Sequence, residues 1–263
     1  MLSFKGETAL VTGAGSGLGA AVSRRLAAEG CNIILTGRDT AALEKTKAEC
    51  DRLGISADIC RLDLEDFSSI DGLYDFVKGK GFNISLFVLN AGISQRAKAL
   101  ETSFDVDKKI MQVDYFGAVY LIKKFSRELK TSKHTSIAVT TSLAGLFGFP
   151  LRSAYCAAKS ALIGFFETLG LEYPNISVTL LIPGRINTEI SRKAVTGDGT
   201  LYGKIDKGQA DGMNVDKAAA KAVRAIKRRR HRKLIGGTEL LMAYINRFLP
   251  CLYYKIAGKI SAT

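Results

Sequence analysis

Lysine and arginine number 38 against 25 acidic residues in this chain of 263, a formal net charge of +13 at pH 7. Hydrophobic residues make up 47% and no low-complexity tract occurs, which excludes a disordered chain and leaves apolar surface for a large core. The five cysteines (Cys31, Cys50, Cys60, Cys156 and Cys251) are odd in number and lack metal-ligand spacing, so core packing in a reducing compartment is expected, with no metal. Apolar runs predict strands at 8–13, 32–36, 56–62, 84–89, 135–141, 176–182 and 233–235. Helical patterns alternate with them at 18–29, 39–53, 67–79, 105–130, 154–172 and 215–230. Such alternation predicts an α/β fold with right-handed crossovers: a doubly wound parallel sheet of about seven strands, covered by helices on both faces. The first strand starts within ten residues of Met1, so neither a signal peptide nor a leading membrane helix is expected.

The turn after the first strand reads Thr12-Gly13-Ala14-Gly15-Ser16-Gly17-Leu18-Gly19 and runs into an apolar helical pattern. Strand, glycine-rich turn and helix form the context of a dinucleotide-binding loop: glycines let the backbone approach a pyrophosphate, whose charge sits at the helix N-terminus. At the second strand's end stands Thr36-Gly37-Arg38-Asp39, with no acid at the tip to bind the ribose hydroxyls of NAD. Arg38 offers a planar fork suited to a 2′-phosphate, and Asp39 reads as the N-cap of the next helix. NADP(H) is therefore expected over NAD(H). Further along, Tyr155 and Lys159 are one helical turn apart, with Ser142 upstream. A free phenol has a pKa near ~10, and a neighbouring cation lowers such a value, so the pair suits general acid–base work. Alone, this spacing is common on solvated helix faces.

Together these motifs resemble the short-chain dehydrogenase/reductase family, with looser likeness to its hydroxysteroid dehydrogenase and keto-lipid reductase branch. Asp63-Leu64 stands where the family places an aspartate beside the adenine, and Asn90-Ala91-Gly92 resembles its N-A-G segment. Pro183-Gly184-Arg185-Ile186-Asn187-Thr188 resembles the stretch that meets the nicotinamide carboxamide. The resemblance implies a Rossmann-type fold and a single catalytic domain over 1–263. It implies cofactor contacts from Gly13, Gly15, Ser16, Gly17, Leu18, Gly19, Arg38, Asp63, Leu64, Asn90, Ala91, Gly92, Tyr155, Lys159, Pro183, Gly184, Ile186 and Thr188. Hydride transfer to a ketone would use Ser142 to hold the carbonyl oxygen, Tyr155 to protonate it, and Lys159 to tune the phenol and bind the nicotinamide ribose. The family's N-x-x-G helix motif carries Asp114 here in place of asparagine, in Val113-Asp114-Tyr115-Phe116-Gly117. If the backbone carbonyl carries the proton relay, Asp114 can substitute; as a buried carboxylate it could instead pair with Lys159 and weaken its pull on Tyr155. Homodimers and homotetramers are usual in the family.

Residues 185–213 are long and glycine-rich, consistent with a substrate lid. Lys227 to Lys233 is a cationic block that reads as a solvated helix end or as a patch for anionic lipid headgroups. It lacks the interleaved aromatics of a nucleic-acid surface, so no nucleic acid is expected. The extension 238–263 is apolar but interrupted by Glu239, Arg247, Pro250 and Lys255, too broken to span a membrane. It suits an interfacial helix, a wall of the substrate pocket or a subunit interface. The resulting expectation is a cytoplasmic NADPH-dependent reductase, in peripheral contact with anionic membrane, acting on a hydrophobic, lipid-like ketone or alcohol. A non-catalytic dinucleotide sensor and an NAD-linked alcohol dehydrogenase are the alternatives.

Overall fold

The computed structural model describes residues 2–258. Its seven strands are β1 (Thr8–Thr12), β2 (Asn32–Gly37), β3 (Ala57–Arg61), β4 (Leu86–Leu89), β5 (Thr135–Thr140), β6 (Ile176–Pro183) and β7 (Arg232–Ile235). They form one parallel sheet in the order β3-β2-β1-β4-β5-β6-β7. In register, Leu10 of β1 lies between Ile34 of β2 and Phe87 of β4. The winding reverses at that β1–β4 boundary, which opens a crevice at the strands' carboxyl ends.

Both faces of the sheet are covered, as the near-continuous apolar strands require. One face carries α1 (Gly17–Ala27), α2 (Thr40–Asp51) and α9 (Val215–Lys227). Buried Ala21, Ala27, Ala218, Ala222 and Ala225 keep the contact of α1 with α9 free of bulk. The other face carries α3 (Phe67–Gly79), α5 (Gly117–Lys124) and α7 (Ser153–Glu172), with Phe87, Phe125 and Phe166 at their shared core. Each fully buried side chain of that size contributes about 1.5–3 kcal/mol.

The helix expected at 105–130 is four pieces: α4 (Phe104–Met111), a π turn at Gln112–Phe116, α5, and α6 (Ser126–Thr131). One extra residue per turn widens the backbone locally, and the bulge brings Asp114 to the sheet. Gly117 follows because a Cβ there would lie 2.7 Å from that of Leu64. The helix expected to reach 230 stops at Lys227, where left-handed Arg229 (φ 51°) ends it. Beyond a short α8 (Lys207–Ala210), the chain closes with α10 (Leu241–Phe248) and α11 (Pro250–Ala257). The C-terminal extension packs on the sheet's second face through Tyr253, which is buried against Phe147 with ring centroids 5.2 Å apart. Residues 259–263 of the expected extension lie outside the described residues.

Candidate active site

A cleft of about 650 Å³ runs across the carboxyl ends of the strands. Its nucleotide half is built largely by backbone. Gly13 has φ +67°, and a Cβ there would sit 2.9 Å from the Cα of Ala91, so the turn is closed to other residues. Gly19 stands beneath it, where any side chain would collide with the Gly13 carbonyl. Ser16 precedes α1 without a side-chain cap, leaving the first-turn amides oriented for an anion. Thr12 ties the two loops together: its Oγ1 accepts from the amides of Asn90 at 2.9 Å and Ala91 at 3.0 Å. This cradle fits a pyrophosphate.

Asp39 caps α2, accepting from the Ala42 amide at 3.0 Å, as its placement before the helix predicts. Arg38 beside it is exposed on the cleft wall and has no ion-pair partner among the described residues. Gly13, Gly15, Ser16, Gly17, Leu18, Arg38, Asp63, Leu64, Asn90, Ala91, Gly92, Ser142, Tyr155, Lys159, Pro183, Gly184, Ile186 and Thr188 all line this one cleft. Gly19 and Asp114 lie behind its wall.

At the other end, α7 presents Tyr155 and Lys159, 8% and 3% exposed. The Lys159 ammonium lies 5.5 Å from the Tyr155 ring centroid and donates to the Thr140 carbonyl at 3.3 Å. Ser142 stands on the loop after β5, its Oγ accepting from the Ala144 amide at 3.1 Å. Behind Lys159, the Oδ2 of Asp114 approaches the ammonium at 3.1 Å, an ion contact poorly aligned as a hydrogen bond. Its Oδ1 accepts from the Ile93 amide at 2.7 Å. Burial pushes the Asp114 carboxyl above the usual aspartate range, with Lys159 and the Ile93 amide pulling against it. Burial likewise opposes the charge on Lys159, but Asp114 and Tyr155 outweigh it and hold the ammonium above the ordinary lysine value. Gly92 makes room for the pair: a Cβ there would be 2.9 Å from Asp114 Oδ2 and 3.0 Å from Lys159 Nζ.

Three features of this end are absent from the sequence reading. Gln95, fully buried, aims Oε1 at the amides of Ala154 (2.9 Å) and Tyr155 (3.4 Å), capping α7 from a distant loop. Asp206, in the segment 185–213, is buried between two guanidiniums: Arg96 Nη2 lies 2.6 Å away and Arg152 Nη2 3.0 Å. Burial and the charge of Arg96 pull Arg152 down to about 10, against the pull of Asp206. Glu239, in the C-terminal extension, accepts from the Arg185 amide at 2.8 Å and lines the cleft beside Met242. Gln95 and Asp206 stand among other polar residues in the chain and Glu239 follows two glycines and a threonine, so nothing local marks them for burial or names their partners.

A family model described as short chain dehydrogenase matches residues 7–198. The chain is 35% identical to a Drosophila melanogaster protein named dehydrogenase/reductase SDR family protein 7-like, over 97% of this chain and 80% of that one. It is 34% identical to dehydrogenase/reductase SDR family member 7B of mouse, over 96% and 80% of the two chains. Among solved structures, a short chain dehydrogenase/reductase from Burkholderia phymatum in complex with NAD superposes with a TM-score of 0.83 at 23% identity, covering 96% of each chain. An alcohol dehydrogenase from Thermococcus sibiricus complexed with 5-hydroxy-NADP gives 0.76 at 24% identity, covering 88% of this chain and 97% of that one.

Proposed function

The chain belongs to the short-chain dehydrogenase/reductase family, and from that premise we propose that it is an NADPH-dependent oxidoreductase that reduces a ketone, or oxidises the matching secondary alcohol. The observation that carries this reading is the shared cleft: Ser142, Tyr155 and Lys159 line the same walls as the glycine turn. Bound nicotinamide would supply the hydride; the protein positions, polarises and moves the proton. Ser142 Oγ holds the carbonyl oxygen, and the Tyr155 hydroxyl gives it a proton as charge develops there. Lys159 steadies the phenol electrostatically and holds ribose hydroxyls. Gly13 to Gly19 cradle the pyrophosphate, Asp63 and Leu64 flank the adenine, Asn90 to Gly92 back the ribose, and Pro183 to Thr188 meet the carboxamide. Arg38 takes the 2′-phosphate, since the one carboxylate beside it is spent on capping α2.

A lipid-like substrate is supported by the apolar wall of Leu143, Phe147, Phe149, Ile190 and Met242 at the proton-transfer end, with residues 185–213 serving as its lid. The experiment is turnover with a panel of keto lipids, steroids and small diketones, followed as loss of reduced coenzyme. NADPH is expected to be preferred, and Tyr155→Phe to lower kcat by about 10²–10⁴-fold with coenzyme binding kept. Equal efficiency with NADH would remove Arg38 from its role, and substantial turnover by Tyr155→Phe would remove the tyrosine from its own.

Peripheral contact with anionic membrane is a second part of this reading, favoured by the exposure of Leu241, Tyr244 and Phe248 on α10, Leu252 and Tyr254 on α11, and Leu249 between them. No helix among the described residues is long and apolar enough to cross a membrane. Flotation with phosphatidylserine vesicles at low salt should carry the protein upward; its absence from the floating fraction would end the membrane reading.

A further inference from the structure

We propose that Asp114 is a positioning residue that cancels the Lys159 charge felt by Tyr155, keeping the phenol in its proton-donating form over a wider alkaline range and suiting the site to reduction. The inference rests on the reading of Tyr155 as the proton donor. It follows from three placements. The π turn carries Asp114 to 1% exposure behind the cleft wall. Its Oδ2 then stands 3.1 Å from the equally buried ammonium. Gly92 supplies the space that lets carboxylate and ammonium meet. In so dry a setting, water does not screen the pair, and opposite charges at this separation interact strongly. An asparagine would accept the same Ile93 amide bond while leaving Lys159 as a bare cation beside the phenol.

The charged groups around this cluster are few. Lys159 meets Asp114 and Tyr155, and Tyr155 also feels Arg152, which pairs with Asp206 in competition with Arg96. From the π turn comes Tyr115, half-buried; α4, packed on α7, brings Asp105, Asp107, Lys108 and Lys109, all at least partly in solvent. β6, also against α7, contributes no titratable side chain. Arg152 is common to the parent protein and any Asp114 variant, so the difference between them reports the carboxylate alone.

Ketone reduction needs the phenol protonated, so its rate falls as pH rises through the phenol's ionisation. Removing the Asp114 charge exposes Tyr155 to a net cation, which favours the phenolate and brings that fall to lower pH. The test is the pH profile of kcat/KM for reduction in the parent and in Asp114→Asn, with Lys159 followed in parallel by NMR of side-chain-labelled lysine, assigned through Lys159→Arg. The alkaline limb should move down by about one pH unit or more in Asp114→Asn. The Lys159 resonance should titrate above the usual lysine range in the parent and lower in the variant. Superimposable profiles from two active proteins would overturn the proposal. So would a parent Lys159 that titrates at or below the ordinary value, a measurement that needs no variant to fold. If the parent turns over no ketone, the reading of function fails by itself, and the lysine titration still decides whether Asp114 governs the charge.

Discussion

The two ends of the cleft are stabilised by opposite means. The nucleotide end is made of main-chain amides and tight turns, joined through the Thr12 hydroxyl to the loop of Asn90 and Ala91, with Arg38 left in solvent. The end that holds Tyr155 buries Asp114, Lys159, Arg96 and Asp206 and joins segments far apart in the chain. A backbone cradle tolerates little change in shape but much change in charge. A buried ionic cluster is the reverse, because each member is costly to desolvate and stands only while its partners do.

The contrast can be broken most forcefully at Asp206. Asp206→Ala takes the shared carboxylate from the buried Arg96 and the partly buried Arg152 and should destabilise the protein by about 3–5 kcal/mol, read from urea unfolding. A loss below about 1 kcal/mol would show that this end is not held by ionic contact. Next comes Gly13→Ala, which forces a left-handed residue against Ala91; about 1–3 kcal/mol should be lost, with coenzyme affinity falling alongside stability. Gln95→Leu tests a bond linking distant segments: without the cap on α7, about 1–2 kcal/mol should go, with kcat falling more than KM rises because Tyr155 is displaced. The smallest effect concerns Asp198, exposed in the turn 196–200, where hydrogen bonds from Thr196 and Thr200 lower its carboxyl to about 2. Its folded value lies below its unfolded one, so its contribution is present above the ordinary aspartate range and is lost as pH falls toward about 2. The protection of the Thr200 amide, its exchange rate relative to that of an unstructured peptide at the same pH, should fall over that window, with global unfolding not yet under way.

The same division explains what the chain discloses before folding. Gly13 to Gly19, Asp39 and the Tyr155–Lys159 spacing act over a few residues, so residue type and spacing carry their meaning. The alternation of strands and helices is legible for the same reason, whereas the strand order is set by pairing between distant segments, and helices stop short of their expected ends where, for example, a left-handed Arg229 or the turn after Ala27 intervenes. Gln95, Asp206 and Glu239 act across 59, 110 and 54 positions, and nothing nearby marks them as partners of Ala154, Arg96 and Arg185. The π turn is hidden for another cause: one inserted residue leaves the helical periodicity of 105–130 nearly intact while rotating Asp114 inward.

Glu239 fastens the base of the apolar tail to the rim of the cleft, since one of its oxygens takes the amides of both Arg185 and Gly237. The tail is thereby a lever with its fulcrum at the coenzyme wall. Residues 183–185 and the base of α10 therefore hold their positions together through side-chain bonds to backbone, and not by apolar packing alone.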